Sequence, residues 1–227
     1  MSVFQNYKGE EQMVVRKTPL IVSALLVSAS AGTAMADFSG ISWTMSSSSY
    51  GDTYLIYADL DSGGQLNAVY GDDINALTIS SDGGFYQTPS WSVDTTFALN
   101  PSLIAVFPSL AYDSWVTIGL EDNVGNNMLN IGIDFTDFNS GGSLWTDNGS
   151  WFATPDDAQV HEVNGSVLIG QFTVASGDHV FGSLNMQGKN ADLSNWNADG
   201  IAFDTAPAPG ALALLGLAGI ATRRRRK

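Results

Sequence analysis

Ten short runs, apolar and rich in β-branched and aromatic side chains, recur along the middle of the chain. They fall at 41–45, 53–60, 66–70, 74–80, 103–107, 114–120, 128–135, 166–174, 179–187 and 201–203. Clusters of Gly, Asn, Asp and Ser separate them, with turn signals at 62–64, 82–84 and 140–142. Runs of this length and composition, punctuated this way, predict β-strands. No segment between the ends shows a sustained helical period. Residues 156–163 predict one short helical turn, entered at Asp156 after Pro155. Ten strands with breaks every 8–15 residues predict an all-β fold, an antiparallel β-sandwich of jelly-roll type. With no composition shift inside it, residues 37–205 are expected to form one domain.

Both ends of the chain break this pattern. At the N-terminal end, Arg16 and Lys17 precede a short apolar stretch from Leu20 to Val27, and Ala34 and Ala36 lie just before Asp37. A positive segment, a short apolar core and small residues at a cleavage position describe a secretory signal peptide over residues 1–36, with translation starting at Met1 or Met13. At the other end, Pro207 and Pro209 precede a dozen apolar or small residues from Gly210 to Ala221, followed by Arg223–Arg226 and Lys227. A run this short falls below the roughly 17 residues of an ordinary membrane span. It predicts a short hydrophobic helix and a transient inner-membrane anchor whose cations stay on the cytoplasmic side.

Charge sharpens the division. From Asp37 to Ala206 there are 21 acidic residues and one basic residue, Lys189. Such a body is soluble and is repelled by nucleic acid. Cysteine is absent, which excludes disulfides, thiolate metal sites and a cysteine nucleophile.

The segment 206–227, with its Pro207-Ala208-Pro209 motif, short apolar helix and Arg223, Arg224, Arg225 and Arg226, resembles the PEP-CTERM sorting signal of Gram-negative bacteria. Ala208 stands where that signal usually carries Glu. The resemblance implies processing by an exosortase, a membrane cysteine protease-transpeptidase. It also implies a destination in the cell envelope or the extracellular polysaccharide matrix. The stretches "LAYDSWVTIGL", "WFATPDDAQ" and "VLIGQFTV" are similar to ectodomains of PEP-CTERM proteins, and the last also resembles a strand of cohesin-like modules.

Candidate chemistry lies in turns and aromatics. Acidic turns supply the oxygens that calcium takes, and the candidate ligands are Asp59 with Asp61 and Asp72 with Asp73. Neither an EF-hand nor a nonapeptide calcium repeat occurs. Of the six tryptophans, Trp145 and Trp151 lie in a polar, Gly-rich stretch and are the candidates for stacking on sugar rings. The two histidines, His161 and His179, occur without a G-x-S-x-G or H-E-x-x-H pattern, and His161 reads as a surface residue. The expected function is a non-catalytic secreted matrix protein associated with exopolysaccharide. A carbohydrate- or calcium-binding module is the alternative, and a glycoside hydrolase working through paired carboxylates a more distant one.

Overall fold

A computed structural model describes residues 38–207. Ala34, Ala36, Ala208, Pro209 and Arg223–Arg226, which carry the signal-peptide and most of the sorting-motif expectations, lie outside the described residues. Among the described residues no helix is long and apolar enough to cross a membrane.

The strands are β1 (Phe38–Ser48), β2 (Gly51–Leu60), β3 (Gln65–Gly71), β4 (Leu77–Ser81), β5 (Trp115–Val116), β6 (Leu129–Ile131), β7 (Leu144–Thr146), β8 (Gly149–Phe152), β9 (Ser166–Val174), β10 (Val180–Lys189) and β11 (Asn195–Asp204). They form two sheets in which every strand pairing is antiparallel. The smaller sheet runs β1-β2-β9-β5; the larger runs β6-β8-β3-β10-β4-β7, with β11 also paired to β10. The all-β sandwich expected from the strand pattern is what the chain forms.

The register of the larger sheet explains its odd order. β11 lies along β10 from Phe181 to Lys189, while β3 and β4 share the other edge of β10, Gln65–Tyr70 against Asn185–Lys189 and Thr78–Ser81 against Val180–Ser183. β3 and β4 are therefore one long strand interrupted at 72–76. β8 and β7 run beside them in the same way, interrupted at 147–148. Backbones crowd at the breaks: a Cβ on Gly71 would run into the Thr146 carbonyl and the Leu77 backbone.

The main core lies between the sheets. Ile56, Ala58, Ile169 and Phe172 of the smaller sheet face Leu66, Val69, Ile79, Trp151, Leu184 and Met186 of the larger. A second cluster of Leu99, Leu110, Trp115 and Leu168 lies on the outer face of the smaller sheet, with Leu55, Tyr57 and Phe107 packed against it. The segment 82–114 supplies the cover. β9 is consequently buried along nearly its whole length, on both faces, as its unbroken apolar run requires.

That segment overturns one expected strand. Residues 103–107 are not extended: α1 (Pro101–Ile104) opens with Asn100 Oδ1 accepting from Ser102 N at 3.0 Å and with Pro101 in its first turn. An Asn cap followed by Pro favours a helix start over a strand. A 3₁₀ turn at Pro108–Tyr112 follows. Two other expected strands shrink: 114–120 to Trp115–Val116 and 128–135 to Leu129–Ile131, before α2 (Thr136–Asn139). β11 is longer than expected, because β10 offers a full edge and Trp196 and Ala198 alternate inward.

Candidate functional site

The structure scatters the acidic residues proposed as ligands. Asp59 is half-buried on β2 and accepts from Ser42 Oγ at 2.6 Å. Burial pushes its carboxyl up from the ordinary value, and the Ser42 hydroxyl partly offsets this. Asp61 is exposed in the following turn. At the interruption between β3 and β4, Asp72 Oδ1 accepts from Ile74 N (3.0 Å) and Asn75 N (2.7 Å), while Asp73 is exposed. Asp72 thus shapes the excursion as an Asx turn. Among the described residues no group of three or more His, Cys, Asp or Glu side chains is placed to hold a metal ion.

The two candidate tryptophans part company. Trp145 is 54 % exposed on β7, whereas Trp151 is fully buried on β8 and donates from Nε1 to the Thr117 carbonyl at 2.9 Å. Trp151 is a core anchor and is not available to stack on a ligand, a correction to the sequence expectation. Six residues apart, the two would share a face in a regular strand. The break at 147–148 reverses the alternation, so Leu144 and Trp151 point inward while Trp145 points out.

His161 is exposed, and His179 lies between Asp82 (3.4 Å) and Asp204 (3.5 Å). The helical turn expected at 156–163 is a 3₁₀ turn at Ala158–Val160. Asp157 precedes it without capping it: its carboxylate accepts from Asn127 Nδ2 (2.8 Å) and Thr154 Oγ1 (3.0 Å). A depression of about 870 Å³ beside the smaller sheet includes Tyr57, Glu121, Asp157 and His161 in its lining.

A second recess lies elsewhere, on the outer face of the larger sheet. It is a groove of about 700 Å³ across four neighbouring strands, β8, β3, β10 and β11. This volume lies within the range of small-molecule sites. Ser150 and Phe152 come from β8, Asn67 and Tyr70 from β3, Gln187 and Lys189 from β10, Asn195 and Asn197 from β11; Thr154 and Pro155 form one wall. Asn195 and Asn197 stand on the exposed face of their strand, as does Gln187.

Two irregularities build this lining. The β3–β10 register shifts between Gln187 and Gly188, leaving Asn67 as the extra residue of β3. Leu66 and Val69 can therefore both enter the core while Asn67, Ala68 and Tyr70 all line the groove. In the β10–β11 pair the shift falls between Leu184 and Met186, opposite Asp199 and Gly200. Gly200 takes φ +62° there and donates from its N–H to Asn185 Oδ1 at 2.7 Å. This bulge brings Asp199 within reach of Tyr70 OH (2.8 Å) and Asn197 Nδ2 (3.0 Å), both of which donate to it. Burial, and then the adjacent Asp199 carboxylate, push the Tyr70 phenol upward, which keeps it a hydrogen-bond donor.

The resulting chemistry is unlike the rest of the surface. The domain carries 21 acidic residues, yet no Asp or Glu lines the groove; Lys189, its single Lys or Arg, does. Four side-chain amides, a phenol, two hydroxyls and the Phe152 ring complete it. Such a lining offers dense hydrogen bonding and some apolar contact, and carries no carboxylate or imidazole for general acid–base work.

None of these lining residues was a candidate from the sequence. The available signals were the lone Lys189 and the amides at alternate positions, Asn195 with Asn197 and Gln187 two residues before Lys189. A scan against protein-family models, a search of curated proteins and a search of solved structures each found no match to this chain.

Proposed function

We propose that this protein is a non-catalytic, secreted component of an extracellular polysaccharide matrix, and that it holds a saccharide chain in the groove over β8, β3, β10 and β11. One observation carries the reading: a domain with 21 acidic residues keeps them out of the groove on the outer face of its larger sheet and fills it with amides, hydroxyls and aromatic surface. Sugar hydroxyls donate and accept, and side-chain amides do the same, so each can satisfy the other without a charge. Tyr70 and Phe152, both half-buried, offer ring surface for the apolar face of a pyranose. The ends of the sequence support secretion and sorting: a signal peptide through Ala36, and an exosortase signal from Pro207 through Arg226.

Titration calorimetry of the purified protein against a panel of bacterial exopolysaccharide oligomers tests the binding. Binding is expected, and is expected to weaken about tenfold or more in Gln187→Ala and Asn197→Ala, each of which removes hydrogen bonds to the ligand. Binding that ignores both substitutions would move the site elsewhere, and no binding across the panel would refute it. Cell fractionation with and without the exosortase tests the sorting, and identical partitioning would refute that part.

A further inference from the structure

Resting on the saccharide reading of the groove, we infer that its Lys189 end recognises a carboxylate-bearing sugar, a uronic acid or its equivalent. Lys189 Nζ donates to Asn195 Oδ1 at 3.1 Å, and an ammonium has three N–H groups, so two remain for a ligand. On the neighbouring strand Asn67 is only 9 % exposed, and its Nδ2 has no hydrogen-bond acceptor within the fold. A buried amide donor left without a partner is costly, and Asn67, the extra residue of β3, is one of the residues that line the groove. Asp199 is engaged by Tyr70 OH and Asn197 Nδ2, and Asp192, in the turn after Lys189, by the N–H and hydroxyl of Ser194.

Within the lining itself this end therefore has unspent donors on Lys189 and Asn67 and no carboxylate, while the unpaired acceptors Gln65 Oε1 and Asn190 Oδ1 belong to adjoining residues outside it. A neutral hydroxyl brings a donor along with its acceptor; a carboxylate brings acceptors alone and matches the ammonium in charge. The acidic surface beyond the rim does not forbid such a ligand, since charges farther than about 8 Å are largely screened at physiological salt. It does disfavour anionic chains over the rest of the domain, which leaves the groove as the place to read them.

The test compares equal-length oligoglucuronate and neutral oligoglucan probes by calorimetry on the purified protein, at low and at physiological salt. The uronate is expected to bind about five- to tenfold tighter at low salt, with the advantage shrinking as salt rises. Lys189→Met is expected to erase that advantage, and Lys189→Arg to restore it. Neutral binding as tight as uronate binding, or an advantage that survives Lys189→Met, would overturn the inference and leave the saccharide reading standing. Binding of neither probe would overturn both.

Discussion

The outer faces of the two sheets have opposite fates. On the smaller sheet, Leu55, Tyr57, Trp115 and Leu168 are roofed by the segment 82–114, which contributes Leu99, Leu110 and Phe107. On the larger sheet, the strands β8, β3, β10 and β11 present amides, a phenol and one ammonium to solvent. One face has become a second, small core; the other has stayed open and polar. Burial of apolar side chains stabilises, while an exposed polar lining contributes little to folding and leaves its hydrogen bonds for a ligand. The molecule thus separates the surface that adds stability from the surface that can bind.

Substitutions on the two faces should diverge accordingly. Trp115→Ala, which opens a cavity in the roofed cluster where Trp115 is 2 % exposed, is expected to cost about 3–5 kcal/mol in urea unfolding. Trp145→Ala, on the outer face of the larger sheet, should cost no more than about 0.5 kcal/mol. Equal losses would erase the distinction.

The roof is also pinned by a buried acid. Asp113 accepts from Thr88 N and Val93 N at 2.7 Å each and is fully buried. Burial raises its pKa from 3.8 to about 6, against the pull of those two N–H groups. A raised folded-state pKa means that the native protein binds the proton more tightly than the unfolded chain. Its contribution to stability is therefore fullest below about pH 4, declines as pH rises through about 6, and is lost above; the span is at most about 3 kcal/mol. Urea unfolding measured from about pH 4 to about pH 7 should show this decline, and Asp113→Asn should remove that part of it. An unchanged slope in the variant would place the titration elsewhere.

Smaller effects separate the two faces further. Asn100→Ala removes the cap of α1 within the roof and should cost about 0.5–1 kcal/mol. Gln187→Ala, in the groove, should change stability by less than about 0.5 kcal/mol while weakening saccharide binding. A large loss of stability there would mean that the groove is structural.

Much of this fold was legible in local pattern. β2, β9 and β10 announced themselves by apolar and β-branched runs, because strand formation there follows from side chains that must be buried. β11 did so only at its end, 201–203: the polar "NWNADG" before it pairs along β10 as a strand because a long edge was open beside it. The segment 103–107 failed in the other direction, since an apolar run of five residues fits a helical turn as well as a strand and only the Asn100–Pro101 cap decided it. The groove was nearly invisible. Asn67, Gln187 and Asn195 are far apart in sequence, and what joins them is strand order and two bulges.

Local pattern and composition set where the main strands run, the acidic character of the domain and the isolation of Lys189, all local or additive properties. Tertiary structure alone decided which face each residue met. A single interruption at 147–148 turned Trp145 outward and Trp151 inward, since a strand's side chains alternate and one irregularity reverses every position after it. The same rule, applied at Asn67 and at Gly200, placed the polar lining on one outer face and left Lys189 beside it, in a domain whose other formal charges are negative.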